Sequence, residues 1–191
     1  MKIIAGKLGG RKIKTLDSYD TRPTSAKIRG AIFNALGQYF LEGNVLDLFS
    51  GSGAMAIEAL SRGCTHAVCI DKNRLAYQVI RENCAQLNIA HLVDVRCCDY
   101  QGYLNRISEK FDLVFIDPPY KMKIIEDVVE QLFTKNLLNI RAKIIVEFSN
   151  KIYTEEELAF LSKYHVVFNR RYDATQIVII EHNGERGNDY E

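Results

Sequence analysis

The chain predicts an α/β fold: a doubly wound, mainly parallel sheet of seven strands whose last strand runs antiparallel. Three observations predict it. From residue 44 onward, short apolar runs alternate with stretches of helical periodicity. Four successive runs end at or near an aspartate, namely Asp47, Asp71, Asp99 and Asp117. The final two runs flank only Asp173-Ala174, a connection so short that they must be antiparallel neighbours.

Each element has its own signal. Residues 1–20 hold apolar pieces at 2–5 and 12–16 around Gly6, Gly9 and Gly10, which suits a hairpin placed before a main domain over residues 21–191. Thr24 can cap a helix in which Ile28, Ala31, Ile32, Ala35 and Leu36 recur at helical spacing. Residues 45–49 read as a buried strand, 54–61 as a helix closed by Gly63, and 67–70 as a strand ending in Asp71. A helix follows over 74–87, a strand over 92–97 and a short helix over 100–107. The strand 111–116 precedes helix 124–134, strand 143–148 and helix 155–161. Strands 165–172 and 175–181 close the sheet.

Composition narrows the function. With 191 residues, 47% hydrophobic and 26% charged, the chain has the make-up of one globular domain rather than a disordered one. No apolar run approaches the roughly 20 residues of a membrane span, and MKIIAGKLGGRKIK lacks the apolar core of a secretion signal. The five cysteines, Cys64, Cys69, Cys84, Cys97 and Cys98, make no C-x-x-C pair and no zinc spacing. Reduced thiols in a cytoplasmic protein without metal are expected. Charge is uneven: residues 1–29 carry eight basic groups against Asp17 and Asp20, a net +6 that leaves −5 for the rest of a chain of net +1. Such a front end suits either a phosphate-tracking arm or a solvated basic tail.

Ligands of doubly wound sheets bind beyond the carboxyl ends of the strands. There lies Asp47-Leu48-Phe49-Ser50-Gly51-Ser52-Gly53, with Asp71 twenty positions after Gly51. Gly51 and Gly53 permit a sharp turn and close approach to a ligand. The glycine pattern alone fits a nicotinamide dinucleotide equally, its pyrophosphate on the helix N-terminus. Asp47 discriminates, because a carboxylate ahead of the loop repels phosphate and pairs with an ammonium or sulfonium. The acids favour S-adenosylmethionine, with Asp99 accepting from its adenine. Phe49, Ser52, Lys72 and Tyr100 complete the candidate cofactor set.

The third station is FDLVFIDPPY, residues 111–120, which holds two of the chain's three prolines. An exocyclic base amine is a poor nucleophile until acceptors hold its N–H groups. Asp117 supplies a carboxylate, and Pro118 a carbonyl fixed by the adjacent ring of Pro119. Tyr120 supplies a face on which an extruded base can stack. These four residues are the expected catalytic and base-holding group.

DLFSGSGAMAIEALSRG (47–63) with FDLVFIDPPY (111–120) resembles the class I S-adenosylmethionine-dependent methyltransferases that act on exocyclic amines. KIIAGKLGGRKI (2–13), TRPTSAKIRGAIFNAL (21–36) and EALSRG (58–63) narrow the resemblance to the bacterial 16S rRNA guanine-N2 methyltransferase D family, over residues 2 to about 182. The resemblance implies methylation of a guanine N2 in 16S rRNA of an assembling small subunit. It also implies that Lys7, Arg11, Lys12 and Lys14 follow RNA, with Arg22 and Thr24 near the transfer centre. Ala56 departs from an expected glycine, and Asp71 from the more usual Glu. An adenine-N6 methyltransferase, a nicotinamide dehydrogenase and an RNA-binding module remain the alternative readings.

Overall fold

The computed structural model describes residues 1–16, 26–119 and 122–184. Seven strands form one sheet: β1 (Asn44–Asp47), β2 (His66–Asp71), β3 (Val93–Cys97), β4 (Phe111–Ile116), β5 (Leu138–Ser149), β6 (Val166–Tyr172) and β7 (Thr175–Glu181). Their order is β3-β2-β1-β4-β5-β7-β6. β1 to β5 pair in parallel, whereas β7 is antiparallel to both β5 and β6. The strand order therefore reverses between β1 and β4, where ligands of such sheets collect.

Alternate residues of the strands feed two cores. On one face Leu46, Val68, Val114, Ile144 and Val178 pack with Leu104 of α4 (Tyr100–Leu104), Val128 and Leu132 of α5 (Ile125–Thr134) and Phe160. On the other, Val45, Ala67, Leu113, Ile145 and Ile177 pack with Phe33 of α1 (Ala26–Leu36), Ile57 of α2 (Ala54–Ser61) and Ile80 of α3 (Arg74–Gln86). Ile3 and Ile13 join this second core.

The N-terminal segment folds back on itself. Ile3 N–H donates to Arg11 C=O at 3.0 Å and Gly10 N–H to Ile3 C=O at 2.9 Å, around a single antiparallel bridge between Lys2 and Lys12.

Several expected boundaries are corrected. Regular pairing in β1 stops at Asp47, not Phe49, although Leu48 N–H still bonds Phe115 C=O at 3.2 Å. α4 stops at Leu104 rather than 107. β5 begins at Leu138, five residues earlier than expected, and its register with β4 shifts between Phe111 and Leu113. Arg141, with φ +66°, interrupts its periodicity. The helix expected over 155–161 is absent: turns lead into a 3-10 segment, Ala159–Lys163. A second 3-10 turn, Ala90–Leu92, had no sequence signal.

Candidate functional site

The glycine loop joins β1 to α2. Gly51 (φ +53°) and Gly53 (φ +78°) both occupy the left-handed region that favours glycine. Their surroundings differ. A Cβ on Gly51 would meet nothing within 4 Å, so this residue borders open space. A Cβ on Gly53 would meet Ile80 at 3.2 Å, so this residue lets α3 pack closely. Gly53 N–H donates to Ser50 C=O at 2.7 Å and closes the turn.

Two acids frame the loop. Asp71 accepts from Gly51 N–H at 2.9 Å and from Asn73 N–H at 2.8 Å, so it fastens the loop to the end of β2. Each of its oxygens keeps a further acceptor site for a ligand hydroxyl. Asp47 is 3% exposed. Burial first, and the Asp71 charge second, push its carboxyl up to about 7, while the neighbouring backbone N–H groups of Phe49 and Ala56 pull it down. Ala56 lies in the first turn of α2. Asp47 therefore ends β1 close to the first turn of α2, the place where a pyrophosphate would sit.

Asp99 caps α4: its Oδ1 accepts from Gln101 N–H at 2.9 Å and Gly102 N–H at 3.4 Å. The rings of Phe49 and Tyr100 lie 5.4 Å apart at the carboxyl end of the sheet. Ser52 and Lys72 sit in the loops that follow β1 and β2, and both offer backbone carbonyls to neighbours, Asn83 and Cys97 respectively.

Asp117, Pro118 and Pro119 follow β4 directly. Asp47 is level with Phe115 in the β1–β4 register, so Asp117 stands two residues farther out, beside the start of the glycine loop. Pro119 C=O accepts from Met122 N–H at 2.8 Å. Met122 C=O in turn accepts from the Tyr153 hydroxyl at 3.0 Å, and the Tyr153 ring packs on Phe148 at 5.2 Å. An ion pair between Lys123 and Glu157 adds a second tie. The segment after β5 thus braces the chain where it leaves the D-P-P segment that follows β4. Sequence reading missed Tyr153 and Glu157; the T-x-x-E spacing of Thr154 and Glu157 was their available signal. Tyr120, Arg22 and Thr24 lie outside the described residues.

The basic hairpin is docked through α2. Glu58, 0% exposed, accepts from Ile4 N–H (2.8 Å), Ala5 N–H (3.1 Å) and Arg62 Nε (2.8 Å). Arg29 Nε lies 3.5 Å from the same carboxylate, and Arg29 Nη2 donates to Lys2 C=O at 2.6 Å. Burial pulls the Arg29 guanidinium below its ordinary value, and Glu58 opposes this. Ser61 takes Leu8 N–H on its hydroxyl at 2.9 Å and Lys7 N–H on its carbonyl at 2.7 Å. A Cβ on Gly6 would meet that carbonyl oxygen at 1.9 Å. E-A-L-S-R-G, which carried part of the resemblance, is the hairpin's berth. Lys7, Arg11 and Lys12 are exposed on it, while Lys14 pairs with Glu82 at 2.6 Å.

Among the described residues, no cluster of His, Cys, Asp and Glu could hold a metal ion, and no helix is long and apolar enough to cross a membrane.

Comparison with known proteins places this geometry among relatives. A family described as "Conserved hypothetical protein 95" matches residues 1–181. "Putative rRNA methyltransferase YlbH" of Bacillus subtilis is 31% identical over 189 residues, covering 96% of this chain and 100% of that one. "Ribosomal RNA small subunit methyltransferase D" of Escherichia coli K12 is 33% identical over 147 residues, covering 77% and 74%. The solved structure "Putative methyltransferase yhhF from Escherichia coli" superposes with a TM-score of 0.81 at 26% identity, over 95% of this chain and 97% of that one.

Proposed function

Because the chain belongs to the Conserved hypothetical protein 95 family, whose matched relatives include proteins named for rRNA methylation, we propose that it transfers a methyl group from S-adenosylmethionine to the exocyclic N2 of a guanine in 16S rRNA. The substrate is the RNA of an assembling small subunit, and the place of action is the cytoplasm. The observation that carries this reading is Asp47, buried at the end of β1 where the glycine loop leads into the first turn of α2. It puts an acidic side chain where a dinucleotide would need to place phosphate, and so supports a cationic nucleoside.

The residues fit such a cofactor. Open space borders Gly51, two carboxylates flank the loop, and the Phe49 and Tyr100 rings offer apolar surface beside it. Asp47 would meet the cationic portion, Asp71 the ribose hydroxyls, and the α4 end near Asp99 the adenine. Bound there, S-adenosylmethionine supplies an electrophilic methyl group on a sulfonium.

The chain's own part is positioning. Asp117 accepts one N–H of the target amine and the Pro118 carbonyl the other, which localises the nitrogen lone pair. Pro119 and Tyr120 hold the base, Tyr120 by stacking. Asp117 would take the proton that the amine nitrogen sheds on methylation and pass it to water. The hairpin's Lys7, Arg11, Lys12 and Lys14, with Arg22 and Thr24, steer RNA phosphates toward this point.

The test is incubation with tritiated S-adenosylmethionine and small subunits from a strain lacking the enzyme, followed by digestion to nucleosides. Label in N2-methylguanosine is expected. Label in N6-methyladenosine moves the substrate to the adenine alternative, and absence of label from 16S rRNA refutes the substrate assignment.

A further inference from the structure

We propose that Asn83 is a positioning residue that ties the basic hairpin to the cofactor loop, so that occupancy of the loop and placement of the RNA-facing strand are set together. The proposal rests on the methyltransferase reading above and names how its two binding surfaces are joined.

Asn83 lies inside α3, where asparagine is a poor helix former. Its side chain is 0% exposed and spends its hydrogen bonds outside its own helix. Oδ1 accepts from Lys14 N–H at 2.8 Å. Nδ2 donates to Lys14 C=O at 3.0 Å and to Ser52 C=O at 3.0 Å. The amide thus pairs both backbone groups of one hairpin residue, as a neighbouring strand would, and reaches the glycine loop with the same nitrogen. Only a side chain with one acceptor and two donors at a single end can do this. An aspartate would face two carbonyls without a proton to give, and a leucine would leave all three groups unpaired.

The contact falls where it has leverage. Ser52 stands between Gly51 and Gly53, the two residues of the loop with positive φ and the least intrinsic restraint. The Ser52–Gly53 peptide is held at both ends: its carbonyl by Asn83 and its N–H by Ser50 C=O at 2.7 Å. One of those two restraints is therefore shared with the hairpin. Ordering the loop around a ligand also orders Asn83, and through it Lys14, in the same arm of the hairpin as Arg11 and Lys12.

Amide hydrogen exchange on the full chain, with and without saturating S-adenosylhomocysteine, tests this. In the wild type the ligand is expected to slow exchange over residues 10–16 by about fivefold, the lower end of ordinary couplings between sites. In Asn83→Ala the ligand still protects residues 50–53, but the slowing over 10–16 is lost. Gln86→Ala gives up only a 3.4 Å bond to Lys12 C=O and keeps the slowing. Should Asn83→Ala fail to fold, Lys14→Pro removes the N–H that Asn83 receives and is expected to abolish the slowing in the same way. A wild-type hairpin unmoved by bound ligand, or moved equally in the variant, overturns the proposal while leaving the cofactor assignment intact. Absence of S-adenosylhomocysteine binding by calorimetry overturns the cofactor assignment and the coupling together.

Discussion

Replacing Asp47 by asparagine removes a buried negative charge while keeping the side chain's shape. The folded protein raises this carboxyl from 3.8 to about 7. The folded state therefore holds a proton across that window which the unfolded chain releases, so stability falls as pH rises from about 4 to about 7. Three units correspond to about 4 kcal/mol at completion, and to about 2–3 kcal/mol between pH 5 and pH 8. Urea denaturation of wild type and Asp47→Asn at those two pH values measures it. The variant should gain about 2–3 kcal/mol on the wild type on going from the lower pH to the higher. Identical pH dependence in the two proteins would refute the claim that Asp47 is held at an unfavourable potential. The same substitution should weaken S-adenosylmethionine binding by about 10-fold or more, the worth of one charged hydrogen bond. A site that is more stable without its charge and poorer at binding is what a cation-binding carboxylate requires.

Asp117→Ala should retain S-adenosylhomocysteine affinity by calorimetry and lose about 100-fold or more in kcat, since it removes an acceptor used mainly in the transition state. Glu58→Ala leaves two buried arginines around an empty position, and denaturation should report a loss of about 3–5 kcal/mol. Charge reversal at Lys7 and Arg11 should lower RNA affinity more at low salt than at high and reduce the slope of log affinity against log salt by about 0.7 per lost phosphate contact. Tyr153→Phe removes the 3.0 Å bond to Met122 C=O; it should lower kcat severalfold with S-adenosylhomocysteine affinity unchanged, because the brace acts on the D-P-P segment alone.

Much of the fold was legible because local and long-range demands agree. β4 and β7 are apolar runs bounded by turn residues, and α2 lies between a glycine loop and Gly63; all three have their expected limits. The stretch 155–161 shows where agreement breaks. Thr154 and Glu157 exchange capping bonds, Thr154 N–H to Glu157 Oε2 at 2.9 Å and Glu157 N–H to Thr154 Oγ1 at 3.2 Å, so a single helix-like turn is closed. It does not propagate, because Tyr153 is held on Met122, Glu157 on Lys123, and Phe160 and Leu161 must turn into the core. β5 was read short because Asn139, Ile140 and Arg141 break its alternation where the register shifts. In the site, the strand-end acids and the glycine loop were visible as motifs. Asn83, Glu58 and Arg29 were not, because their partners are backbone atoms and side chains up to 69 positions away, which no local spacing announces.

The carboxylate beneath the N-terminal hairpin binds two distant stretches of the sequence to each other. E-x-x-S-R-G performs no chemistry; it is joinery, cut to receive one particular attachment. A chain without Glu58 and Ser61 lacks the side-chain acceptors that take the backbone N–H groups of Ile4, Ala5 and Leu8. The stretch therefore answers to the N-terminal segment it receives, which separates its demands from those of the glycine loop.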